Sequence, residues 1–187
     1  MDVIVARAII VNRREAAYSL YELLMTTALA AIVLGIGVPS MGKLAADQRL
    51  RAQIDPLFHA VHLARKESVV RRTEVTLCGS HDGERCAPDY DWSDGWLLFV
   101  NSDRDQPAER DADETLLARH KGDRLVQIAA NRRAFSLRST ELRATNGTLI
   151  FCDRARRAAT RALVISYTGR PRVALQDSNG RNYVCPD

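Results

Sequence analysis

Residues 18–41, YSLYELLMTTALAAIVLGIGVPSM, make an apolar run with a single acidic residue, Glu22, close to its start. At about 1.5 Å per residue, a helix over 23–41 is just long enough to cross a bilayer core of about 30 Å. Hydropathy alone reads this as a single-span anchor. Glu22 asks for more. A carboxylate inside a membrane segment costs on the order of 2 to 3 kcal/mol, so at this depth it calls for a partner or a function.

Beyond Met41 the pattern turns amphipathic. Leu50, Ile54, Leu57, Val61, Ala64 and Ser68 recur at three- and four-residue spacing, with Arg49, Arg51, Asp55, Arg65 and Lys66 between them. That spacing predicts the same helix continuing with a core-facing stripe. Pro56 predicts a kink, or a restart with Asp55 as cap. From Glu74 onward, short β-prone runs at 74–77, 96–100, 115–118, 135–137, 148–151, 163–167 and 172–175 are separated by Gly, Asn, Asp and Pro clusters. The expected fold class is α+β: one long N-terminal helix packed on an antiparallel β-sheet domain.

The 187 residues allow one soluble domain and its anchor. The expected division is an N-terminal segment over 1–17, a membrane helix over 18–41, an amphipathic helix over 42–72 and a β domain over 73–187. Arg13 and Arg14 in the first segment fit the cytoplasmic side. A formal charge of +4 and a pI near 9.1 permit an anionic partner without requiring one. No GxSxG, phosphate-binding loop or HExxH occurs, and His120 has no nucleophile beside it in sequence, so neither catalysis nor a cofactor is expected. His59 and His62 lack a carboxylate or Cys at ligand spacing and read as helix-surface residues.

The run YSLYELL and the apolar residues after it resemble the N-terminus of type IV pilins and pseudopilins. The resemblance implies that the segment over 1–17 is a leader and that prepilin peptidase cuts between Ala17 and Tyr18, where the family usually has Gly before the cut. Glu22 becomes the fifth mature residue, an assembly residue that meets a methylated amine in a filament. Pro39 stands where these helices often carry a loosening proline. The stretches LARKESVVRRTEVTLCGSHDGERC and DWSDGWLLFVNSDRD resemble the FimT and GspH group of that class. Trp92 and Trp96 read as core residues, with Gly95 allowing the tight entry of their strand.

Four cysteines, Cys78, Cys86, Cys152 and Cys185, lie on what would be the periplasmic side, where an even count favours disulfides. Four allow three connectivities. Pairing Cys78 with Cys86 and Cys152 with Cys185 closes one structural unit each. Zinc on Cys78, His81 and Cys86 is the weaker reading, because a structural site wants four ligands. The loop over 103–114, DRDQPAERDADE, is rich in carboxylates, and some pseudopilins bind calcium in such a loop. It lacks the spacing and glycine of a calcium loop and reads as solvated, so no metal is expected.

The last third, FCDRARRAATRALVISYTGRPRVAL, places Arg154, Arg156, Arg157 and Arg161 in one loop and Arg170 and Arg172 in a turn that Gly169 frees. Side chains two apart in an extended segment share a face. The GRPR stretch resembles the Gly-Arg-x-Arg motif with which competence-associated FimT pilins bind DNA. The resemblance implies a minor type IV pilin of the inner membrane, with a periplasmic domain and later a surface pilus. Its partners would be other pilins, the peptidase and double-stranded DNA bound without sequence preference. A minor pseudopilin of type II secretion, or an assembly subunit without DNA, is the alternative.

Overall fold

The computed structural model describes residues 19–138 and 143–186, apart from the side chain of Pro39. The expected leader, and the junction of Ala17 with Tyr18, lie outside the described residues. Two compact units divide the chain, Met1–Ser40 and Met41–Asp187.

Helix α1 spans Leu20–Arg71. Ser19 opens it: the Glu22 N–H donates to Ser19 Oγ at 3.4 Å, and the Leu23 N–H donates to the Ser19 carbonyl at 3.1 Å. Glu22 thus follows the cap by three residues, at the helix end where the dipole favours a negative charge. In the first unit an 18-residue window reaches a mean hydropathy of 2.0 with none of it buried, long and apolar enough to cross a membrane. The hydroxyls of Thr26, Thr27 and Ser40 donate to helix carbonyls three or four residues back, so they need no water.

The second unit begins on the same helix. Leu50, Ile54, Leu57, Val61, Ala64 and Ser68 are all buried, and Arg49, Arg51, Asp55, Arg65 and Lys66 are exposed. At Pro56 the structure departs from the sequence reading in one respect: no restart occurs, and Asp55 caps nothing. One missing hydrogen bond is outweighed there by the burial of Ile54 and Leu57 on either side.

Eight strands follow: β1 Glu74–Gly79, β2 Gly95–Asn101, β3 Leu116–Lys121, β4 Val126–Ala130, β5 Ala134–Leu137, β6 Gly147–Asp153, β7 Arg161–Ile165 and β8 Pro171–Ala174. They form two four-stranded antiparallel sheets, ordered β3-β2-β1-β5 and β4-β6-β7-β8. Inward side chains of both sheets, Leu77, Leu98, Ile128, Phe151 and Leu163 among them, join the helix stripe in one core cluster. Strands β1 and β2 are buried along their whole length. The reason is a second cluster on their far face, Cys78, Leu97 and Phe99, against which Cys86 packs. Trp92 and Trp96 are core residues, and Gly95 (φ 142°) stands so close to the His120 carbonyl that a Cβ would lie 2.3 Å from it.

Ala144 couples the two sheets. It bridges to Leu137, the last residue of β5, and its N–H donates to the Tyr167 carbonyl just past β7 at 2.9 Å. Cys78 is bonded to Cys86, and Cys152 in β6 to Cys185 near the C-terminus. The first closes a separation of 8 residues and the second one of 33. Replacing Cys152 and Cys185 together by Ser is expected to cost about 3 to 4 kcal/mol, against about 2.5 kcal/mol for the shorter closure, if loop entropy in the unfolded chain dominates. Urea unfolding of the two double variants measures both losses. A larger loss from the Cys78 pair would contradict the entropic account.

Candidate nucleic-acid interface

The turn joining β7 to β8 is built from short polar residues that lock its backbone. The Ser166 N–H donates to the Arg170 carbonyl at 3.0 Å, the Gly169 N–H to the Ser166 carbonyl at 2.8 Å and the Arg170 N–H to Ser166 Oγ at 3.1 Å. Gly169 has φ 70°, a conformation that side chains disfavour. A Cβ there would also meet Leu137 at 3.2 Å and Ala144 at 3.3 Å. The turn therefore rests on the segment that couples the sheets. Arg170 and Arg172 emerge from it exposed, on either side of half-buried Pro171. Among the described residues, neither guanidinium has an ion-pair partner.

The other arginines expected at this site lie elsewhere. Arg154, Arg156 and Arg157 are exposed in the β6–β7 loop, at the opposite end of β7 from the GRPR turn. Five strand residues separate the two ends, roughly 16 Å. Arg161 is drawn inward: its Nη2 donates to Asp47 Oδ1 of the helix at 2.6 Å, and only 21 % of its side chain is exposed. That hydrogen bond, more than the one from Arg51, holds the Asp47 carboxyl below the usual carboxylate range. Arg161 is thus a tie between β7 and α1.

In their place the fold brings three arginines to the turn that the sequence reading did not select. Arg65 of α1, Arg138 after β5 and Arg143 line a cleft of about 240 Å³ with Gly169 and Arg170. Arg138 is paired with Glu74, whose side chain is fully buried. The guanidinium of Arg143 stands over the Tyr167 ring, 5.6 Å from its centroid. With Arg138 taken up by Glu74, the guanidinium groups of Arg65, Arg143 and Arg170 remain around the turn as a place for anionic oxygens, which such forks bind in pairs.

Elsewhere the chemistry is structural. Cys78 and Cys86, being bonded to each other, offer zinc no thiolate. In the 103–114 loop, carboxylates accept from the loop's own backbone: Glu114 from the N–H groups of Ser102 (2.7 Å) and Asp111 (3.2 Å), Asp105 from that of Glu109 (2.8 Å). Burial raises the Glu114 carboxyl above the ordinary glutamate range. His59 and His62 are exposed on α1 beside Phe58, and no group of three metal-ligating side chains occurs among the described residues.

Residues 53–169 match the profile of the family described as type II transport protein GspH. The type IV minor pilin FimU of Pseudomonas aeruginosa strain PAO1 is similar in two crystal forms. One is 18% identical over 66% of this chain and 91% of that chain with a TM-score of 0.48. The other is 19% identical over 71% and 92%, also at 0.48. The minor pseudopilin EpsH from the Type 2 Secretion System of Vibrio cholerae is 10% identical over 67% of this chain and 96% of that chain, with a TM-score of 0.47. No match was found among curated proteins.

His81 and His120 titrate in opposite directions. His81 Nδ1 lies 2.7 Å from Asp94 Oδ2 and its Nε2 lies 3.0 Å from Asp89 Oδ2. To donate to both carboxylates the ring must carry two protons, so Asp94 first and then Asp89 raise its pKa above 6.5. His120, stacked on Trp96, is pushed below 6.5 by burial. Stabilisation from His81 is therefore complete below about pH 6.5 and disappears as pH rises through the raised folded value. The His120 contribution runs the other way, with stability rising with pH up to about 6.5, because the unfolded state binds the extra proton. Proton NMR titration is expected to give His81 a midpoint above 6.5 and His120 a midpoint below it, and His81→Gln should flatten the stability loss above pH 6.5. A His81 midpoint at or below 6.5 would contradict the carboxylate clamp.

Proposed function

The chain belongs to the type II transport protein GspH family, a family of pilin and pseudopilin subunits, and on that footing we propose that it is a minor type IV pilin whose β7–β8 turn holds DNA without sequence preference. The observation that carries this reading is the pair Arg170 and Arg172: exposed, without ion-pair partners among the described residues, and displayed by a turn whose backbone is locked. Exposed cations with no ion-pair partner among the described residues are placed to neutralise phosphate. Guanidinium forks fit phosphate oxygens, and Arg170 and Arg172 sit on a turn and strand and not on a helix that could enter a groove to read base edges, so the contacts are positional and not sequence-specific.

Assembly follows from the N-terminal unit. Prepilin peptidase removes the leader over 1–17 between Ala17 and Tyr18, the helix over 18–41 holds the subunit in the inner membrane in a single pass, and Glu22 meets the terminal amine of a neighbouring subunit. The domain beyond 42 faces the periplasm and, after assembly, the surface of a pilus that takes up DNA. Arg154, Arg156 and Arg157 offer phosphate a second and more distant contact, while Arg161 holds the strand in place. The family's description as a type II transport protein favours a second reading, a minor pseudopilin of protein secretion, in which the same arginines meet a neighbouring subunit.

DNA binding by the full chain in detergent micelles separates the two. If two to four phosphates are neutralised, log K is expected to fall with log salt at a slope of about −2 to −4. Arg170→Gln with Arg172→Gln should weaken duplex binding at least tenfold and make the slope shallower by about 2, with unfolding unchanged because both side chains are exposed. The charge-matched pair Arg119→Gln and Arg124→Gln, also exposed, should leave affinity within about twofold. Equal damage from both pairs, or none from the first, would give the secretion reading its place.

A further inference from the structure

The geometry points to a nucleobase-stacking position at Tyr167, so that the turn holds single-stranded DNA more tightly than a duplex; this rests on the DNA reading above. Tyr167 lies between the end of β7 and Gly169, and its backbone is fixed by the Ala144 N–H on its carbonyl at 2.9 Å. Its ring is nonetheless kept out of the core: the residue is 53% exposed. An aromatic side chain normally gains its largest stabilisation from burial, so a ring left half exposed on a rigid turn, with Arg143 over one face, is available to another flat surface on its exposed side.

Its surroundings select which surface. Arg143 stands 5.6 Å from the ring centroid, and Arg170 and Arg172 follow three and five residues on. Tyr90, the other exposed aromatic among the described residues of the second unit, is flanked by Asp89 and Asp91, which repel phosphate. Tyr167 alone of the two combines a π-face with cations. That is the pairing by which proteins hold single strands, an aromatic platform for a base and arginines for the phosphates beside it. In a duplex the bases are stacked on one another and present only their edges, so the ring has nothing to receive. The duplex keeps the phosphate contacts and loses the stack.

Fluorescence anisotropy with the full chain in detergent micelles tests this on three labelled probes of about 12 nucleotides: oligothymidylate, an abasic strand of equal length, and a duplex. Oligothymidylate is expected to bind roughly tenfold more tightly than the abasic strand and the duplex. Tyr167→Leu should remove that excess while leaving duplex affinity and its salt slope unchanged, and Tyr167→Phe should keep it. Equal affinity for thymidylate and abasic strands overturns the inference, as does a Tyr167→Leu variant that behaves as wild type or weakens strand and duplex alike. Wild-type protein that binds none of the three probes refutes the DNA reading itself, and the stacking position with it.

Discussion

Burial of one helical stripe against two sheets is the interaction on which the second unit depends. Leu50, Ile54, Leu57, Val61 and Ala64 share a single cluster with side chains from both sheets, and each fully buried leucine or isoleucine there contributes roughly 1.5 to 3 kcal/mol. Both four-stranded sheets turn inner side chains into that one cluster. The sheets are also coupled directly through Ala144, which reaches β5 on one side and the Tyr167 carbonyl on the other. The GRPR turn is seated on this coupling, so the packing of the core and the placement of Arg170 are parts of one arrangement.

Charge is distributed by the same logic. Arg161 and Arg138 each reach a carboxylate of another element, Asp47 on the helix and buried Glu74 on β1, and these arginines serve the fold. Partly exposed pairs of this kind stabilise by at most about 1 kcal/mol, but removing Arg138 from a fully buried carboxylate would cost more, because the charge left behind has lost its solvation. Among the described residues, Arg170 and Arg172 have no such ion pair. Arg119, Arg124 and Arg154 are exposed and without ion pairs among the described residues as well, so what sets Arg170 and Arg172 apart is the hydrogen-bonded turn that displays them.

Much of the architecture was legible because it rests on local periodicity. The stripe from Leu50 to Ser68 is a 3.6-residue pattern, and the apolar runs that became β1, β2, β3, β5, β6, β7 and β8 are bounded by turn residues. Strand β4, VQIAA, was missed, since two alanines and a glutamine carry little strand preference and only pairing with β6 makes it a strand. The division into two sheets is likewise a matter of long-range pairing. At the candidate site, the turn itself was readable from Gly169, Arg170 and Arg172. Its neighbours were not: Arg65 and Arg143 are about a hundred and about twenty-five residues from the turn, and no local signal joins them. Conversely, Arg154, Arg156 and Arg157 are near in sequence and are carried to the far end of β7 by the strand between.

The central claim is that one locked turn, and not basic charge in general, receives the nucleic acid. Amide chemical-shift mapping of the full chain in detergent micelles, titrated with a short duplex, reads this residue by residue. The account predicts the largest shifts at Thr168, Gly169, Arg170 and Arg172, smaller ones at Tyr167, Arg143 and Ala144, and almost none in the acidic 103–114 loop. Shifts centred on the 154–157 loop, or spread evenly over every exposed arginine, would contradict it.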